Sequence, residues 1–130
     1  MIAEAWTSER ADARYLVHAE LKALLAADAM GLTRSERRRC VLYTTLEPCM
    51  MCLGAAISAQ VGAVVYALES PGDGASALAV DRPGLPAVFR PPPVRGGLGR
   101  AASRALFARY AASAPPGGLR DWALSLTVTA

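Results

Sequence analysis

The chain has one histidine, one lysine, three cysteines and no long apolar run. Each shortage excludes something. No apolar stretch, Val61–Leu68 included, approaches the roughly 20 residues that a membrane span needs. The opening residues Met1-Ile2-Ala3-Glu4-Ala5-Trp6 lack the basic start and apolar block of a signal peptide. A soluble, cytoplasmic protein without membrane contact is therefore expected. Three cysteines are too few for a disulfide framework, and the number is odd. That suits a reducing compartment, with thiols used for a metal or for packing. Any chemistry that needs an imidazole must use His18. Lys22 stands alone while alanine and arginine abound, a composition bias without functional content.

What is present is a chain of 130 residues, 53% hydrophobic and 19% charged. Disorder and low complexity are poor explanations of such a composition. The length suits one domain, 1–130, with a single core. The formal charge of +3 permits a phosphate-bearing partner without demanding one. Met1–Trp6 alternates weakly and reads as a short strand, and Thr7–Arg14 as a polar turn. His18–Met30 reads as a helix rich in Ala and Leu, with Gly31 as its stop. Leu32–Arg39 is a polar, arginine-heavy connection. Cys40–Thr44 is a run of β-formers. Cys49–Gln60 is a nearly all-apolar helix that should be buried. Val61–Leu68 is a strand apolar throughout, as in a sheet covered on both faces. Ala75–Val80 reads as a helical turn and Ala87–Arg90 as a last short strand. Leu98–Ala112 and Leu119–Leu126 read as closing helices. Strands alternating with helices imply an α/β layered domain with a partly parallel sheet.

Two short motifs carry the chemistry: His18-Ala19-Glu20 and Pro48-Cys49-Met50-Met51-Cys52. Cys-x-x-Cys alone fits a redox pair, half a zinc ribbon or chance. Half a ribbon needs a second cysteine pair, which the chain lacks. Cys40 reads as a small hydrophobe. Taken together the motifs are more specific. A catalytic zinc site keeps three protein ligands and one open position, and His18, Cys49 and Cys52 are ligands of the right kind. Both motifs open helices, whose N-termini favour thiolates. Two thiolates, a neutral imidazole and Zn²⁺ are formally neutral together, which lets a bound water lose a proton near neutral pH. Glu20 lies near His18 on a different ray of the helix, placed to move protons rather than to bind metal. Alone it would read as an ordinary first-turn acid.

H-x-E followed by P-C-x-x-C resembles the signature of zinc-dependent nucleobase deaminases, in the cytidine-deaminase-like superfamily. Thr45-Leu46-Glu47-Pro48-Cys49-Met50-Met51-Cys52-Leu53-Gly54-Ala55 is most similar to the branch of tRNA-adenosine and guanine deaminases. The likeness continues through Val61-Gly62-Ala63-Val64-Val65-Tyr66. It implies a three-layer α/β/α fold with zinc between two helices, held by His18, Cys49 and Cys52. It implies Glu20 as proton shuttle in the hydrolytic deamination of a nucleobase, and a homodimer through the Cys49–Gln60 helix. The substrate implied first is adenosine, in tRNA or other single-stranded nucleic acid or as a nucleoside. Free guanine, cytosine or their nucleosides come next, and then a catalytically idle zinc-binding subunit of an assembly.

Two departures from the family accompany the likeness. The family's first helix and strand have no counterpart here. The natural protein is therefore expected to begin about 35–45 residues earlier, still within one domain of ordinary size. Thr7 stands where the tRNA-adenosine branch carries an asparagine that contacts substrate, and offers one donor where an amide offers two. Thr7 and Ala19 are the candidate substrate contacts. Arg34–Arg39 reads as a solvated connection at the end of the sheet away from the motifs. Arg100, Arg104 and Arg109 are candidates for a nucleic-acid rim, and Phe107 and Tyr110 for core packing.

Overall fold

The apolar run at the centre of the chain becomes the central strand of a three-stranded parallel sheet. The strands are β1 (Val41–Leu46), β2 (Ala63–Leu68) and β3 (Val94–Arg95), in the order β1-β2-β3. This is a computed structural model, and it describes residues 1–128. The helices, in chain order, are α1 (Glu9–Asp12), α2 (Ala19–Asp28), α3 (Arg34–Arg37), α4 (Met50–Ala59), α5 (Arg100–Ser113) and α6 (Gly118–Val128). No helix among the described residues is long and apolar enough to cross a membrane.

Parallel neighbours need a crossover, and α4 supplies the one from β1 to β2. The register sets Leu42 beside Val64, Thr44 beside Tyr66 and Leu46 beside Leu68. Val64, Tyr66, Ala67 and Leu68 are all buried, so β2 is covered on both faces as its composition requires. On one face Leu24 of α2 and Ala56 of α4 pack with Leu42 and Val64. On the other, α5 lies against β1 and β2, and its buried Ser103 donates to the Thr45 carbonyl at 2.5 Å. Behind α5, Trp122 of α6 meets Phe107 edge to face at 5.6 Å, so Phe107 belongs to the packing. The layers are thus helix, sheet, helix, as expected.

Where α4 turns into β2, Gln60 adopts the left-handed conformation and Gly62 presses against the end of the preceding connection. A Cβ at Gly62 would collide with the Arg38 carbonyl, so only glycine lets β2 start there.

The structure corrects four local readings. Met1–Trp6 is not a strand. Its first five residues and β1 line a cleft of about 930 Å³. The Trp6 carbonyl accepts from Lys22 Nζ at 3.1 Å instead of joining a ladder. Ala87–Arg90 is a 3₁₀ turn over Ala87–Phe89, closed by a hydrogen bond from Phe89 N to the Pro86 carbonyl. The third strand comes after the proline run, whose Pro93 carbonyl accepts from Val64 N at 2.9 Å. Proline can accept in a ladder but not donate, which delays the strand to Val94. The polar stretch Thr7–Arg14 contains the single turn α1. The arginine connection contains α3, started by a capping box in which Thr33 and Glu36 satisfy each other's backbone N–H groups. The Thr-x-x-Glu spacing was a legible signal for α3. Its Thr33 hydrogen bonds hold the Glu36 carboxyl below its ordinary range.

Candidate active site

Two helix starts face each other at the C-terminal end of β1. His18 is the N-cap of α2 and Cys49 the N-cap of α4, both extended, and neither side chain caps its own helix. Both side chains are therefore free to turn toward a shared point. Cys52 lies one turn into α4 and is fully buried. The ligand atoms of His18, Cys49 and Cys52 all lie within 4.8 Å of one another. Cys49 Sγ is 3.6 Å from His18 Nδ1. The three sequence-predicted ligands are brought together, His18 and Cys49 from positions 31 residues apart in the chain. Cys40 is not among them, because at the other end of β1 its thiol donates to the Glu36 carbonyl at 3.3 Å.

The electrostatics are those of a site built for a cation. Burial, then the nearby Glu20 and Cys49 charges, pushes the Cys52 thiol up from its ordinary range. A hydrogen bond from the Leu21 backbone N–H, a free donor in the first turn of α2, works the other way. Without a cation the pocket favours a neutral thiol, and a bound dication reverses that preference. Two thiols and one imidazole, mutually close and at helix N-termini, form a donor set that fits Zn²⁺.

Glu20 sits beside this group. Its Oε1 faces the Thr44 hydroxyl at 2.6 Å, and its Oε2 lies 3.7 Å from Cys52 Sγ. The Thr44 hydroxyl also faces the Leu46 carbonyl at 3.0 Å, so its one proton serves one acceptor at a time. Ala19, Glu20 and Thr44 line the cleft beside β1. Thr7 is not on its wall; its hydroxyl donates to Glu9 Oε2 at 3.4 Å. Glu9 Oε1 in turn is 3.3 Å from His18 Nε2.

Three polar residues here were not singled out from sequence: Thr44, Glu9 and Glu47. Glu47, half-buried beside Pro48, accepts from the Ser70 and Ser76 backbone N–H groups, each at 3.0 Å, and from the Ser76 hydroxyl. It ties the loop after β2 to the turn that presents Cys49. That turn is also joined to the loop by a bridge between Cys49 and Gly74. A Cβ at Gly74 would strike the Glu47 carboxylate. Glu47 stands inside the cysteine motif, but a carboxylate next to proline carries no sign that its partners lie far along the chain. Farther out, Arg100 is engaged by Glu69, which it holds below the ordinary carboxylate range.

Comparisons with known proteins give one matching family model and relatives of several names. The sequence model of the cytidine and deoxycytidylate deaminase zinc-binding region matches residues 1–68. The chain is 47% identical over 68 residues to tRNA(Ile)-lysidine synthase of Deinococcus radiodurans, covering 52% of this chain and 12% of that protein. It is 38% identical over 77 residues to tRNA-specific adenosine deaminase of Bacillus subtilis, covering 58% of this chain and 47% of that protein. The chain thus spans less than half the length of either relative. A solved tRNA:A34 deaminase superposes with a TM-score of 0.63 at 29% identity, over 81% of this chain and 75% of that one. Guanine deaminase from Nitrosomonas europaea superposes with a TM-score of 0.57 at 28% identity, over 89% and 62%.

Proposed function

The chain belongs to the cytidine and deoxycytidylate deaminase zinc-binding family, and from that membership we propose that it hydrolytically deaminates a nucleobase, with adenosine, in tRNA or as the nucleoside, as first substrate and inosine as product. One observation carries the reading: a carboxylate, Glu20, stands beside a His18–Cys49–Cys52 group whose ligand atoms lie within 4.8 Å of one another. In this proposal those three residues hold the zinc and Glu20 moves the protons.

When bound, zinc supplies Lewis acidity that lets a water molecule lose a proton near neutral pH. Glu20 takes that proton and passes it to the ring nitrogen next to the amino-bearing carbon. It then takes the remaining proton of the added hydroxyl and passes it to the departing amino group. Water oxygen bonds to carbon, the C–N bond breaks, and substrate plus water become the oxo base plus ammonia. Thr44 holds Oε1, which leaves Oε2 as the oxygen for proton traffic. Ala19, on the cleft wall beside Glu20, is one proposed substrate contact; Thr7, off that wall with its hydroxyl turned to Glu9, is the other.

The preference for adenosine rests on the likeness to the Bacillus subtilis and tRNA:A34 deaminases. The superposition on guanine deaminase supports a second reading, free guanine. The test is ammonia release by the zinc-loaded chain from adenosine, guanine, cytosine, cytidine, single-stranded DNA and tRNA. Turnover highest on adenosine or tRNA is expected, and turnover highest on guanine would replace the first reading by the second. A chain that binds zinc and deaminates none of them would be an idle subunit.

The proposal includes a homodimer through the Cys49–Gln60 helix. It is supported by the one ridge of α4 that this fold leaves open, with Met50 68% exposed and Gly54 and Ser58 exposed in line with it. An apolar residue so placed suits a covered face. Sedimentation that finds a dimer in the wild type and a monomer in Met50→Lys is the expected result, and a monomeric wild type would remove this part.

A further inference from the structure

His18 has two ring nitrogens, and they face different partners. Nδ1 points at Cys49 Sγ, 3.6 Å away, and so toward the proposed metal. Nε2 points at Glu9 Oε1, 3.3 Å away. A histidine that binds metal through one nitrogen commonly donates its other N–H to a carboxylate, which selects the tautomer, fixes the ring and raises its basicity. From this geometry we propose that Glu9 is the positioning carboxylate of His18, a residue that tunes the zinc site without touching the zinc.

The chain around Glu9 is organised to hold it there. The Ser8 backbone N–H donates to the Val17 carbonyl at 3.3 Å, which closes the segment between them into a loop ending at His18. Lys22 on α2 reaches back with Nζ to the Trp6 carbonyl at 3.1 Å and to Ser8 Oγ at 3.0 Å. The Ser8 hydroxyl donates to Asp12 Oδ2 at 2.6 Å. The loop is thus pinned on both sides of Glu9. Thr7 Oγ1 donates to Glu9 Oε2 at 3.4 Å, which leaves Oε1 for the imidazole. The result is a relay Thr7–Glu9–His18, in which the residue expected from sequence to touch substrate also orients the carboxylate. The Glu9–His18 contact is half-open to water, with side chains 26% and 42% exposed. As a bare Coulomb pair it would count for little. Its effect lies in where it puts the imidazole proton: with N–H on Nε2, the Nδ1 lone pair is free for the metal.

This inference rests on the zinc site and not on the deamination assigned to it. Its test is zinc affinity of the full chain, by competition with a chromogenic chelator, in the wild type, Glu9→Ala, Glu9→Gln and Asp12→Asn. Glu9→Ala is expected to lower zinc affinity by about 10–100-fold, with Glu9→Gln between it and the wild type. Asp12→Asn removes a charge from the same turn while keeping an amide oxygen that can accept from the Ser8 hydroxyl, and is expected to match the wild type. A second readout separates orientation from general damage. His18 is the only histidine, so its ring signals in nitrogen-edited NMR of the zinc-loaded chain need no assignment. A protonated Nε2 with a downfield N–H signal is expected in the wild type, moving upfield in Glu9→Ala. Equal zinc affinities in Glu9→Ala and Asp12→Asn, or an unchanged N–H signal, would overturn the role of Glu9. A wild type that binds no zinc would instead overturn the metal site, and the inference with it.

Discussion

Replacing Glu20 by alanine is expected to leave zinc bound and the fold intact while lowering ammonia release by about 10²–10⁴-fold or more. The reason is its position. The carboxylate is next to the His18–Cys49–Cys52 group but outside it, with Oε1 held by Thr44 at 2.6 Å. Removing it takes away the carboxylate that lies against Cys52 while leaving all three proposed ligands in place. A graded companion is Thr44→Val, which keeps the carboxylate but frees it to rotate. The lost hydrogen bond to a charged group is worth about 1.5–3 kcal/mol. If about half of that is felt in the transition state, kcat falls by about 4- to 13-fold. Steady-state rates with metal content measured on the same samples decide both. A Glu20→Ala chain within a few-fold of the wild type on its best substrate would mean that another group moves the protons.

The second large effect concerns the ligands. Cys52→Ser is expected to lose zinc and stability together, whereas Cys40→Ser is expected to keep about one zinc per chain. Cys52 is fully buried at the junction of α2 and α4, and its thiol is pushed up by burial and by neighbouring negative charge. A bound dication turns that unfavourable environment into a favourable one, so the metal and the helix junction stabilise each other. With free zinc at 1,000 times its Kd, binding adds about 4 kcal/mol to folding, and the serine variant forfeits most of it. Metal analysis and thermal melts with and without added zinc measure both parts. Cys40 offers no such coupling, since its thiol is hydrogen-bonded to the Glu36 carbonyl at the far end of β1. Equal zinc loss in the two variants would show that the ligand set is wrong.

The short-range features were legible because short-range chemistry writes them. Apolar runs placed β1, α4 and β2 to within a few residues, and the spacing of Cys49 and Cys52 within one helical turn made them joint candidate ligands before any fold was known. The scarcity of histidine left His18 as the sole imidazole. The joint reading of the two motifs pointed to zinc and to Glu20 as the candidate proton carrier. What tertiary structure alone decided lies wherever a side chain's partner is far along the chain. No local pattern says that Glu9 reaches His18, that Thr44 holds Glu20, or that Glu47 gathers Ser70 and Ser76. A carboxylate or a hydroxyl satisfies itself with any partner that the packing brings within about 3 Å, and packing is a property of the whole sheet and its helices. The same holds for Met1–Trp6 and for the third strand. Alternation marks a segment able to pair, but pairing needs an edge within ladder distance. Lys22 takes the Trp6 carbonyl, while the proline run delays the chain's arrival at β2 until Val94.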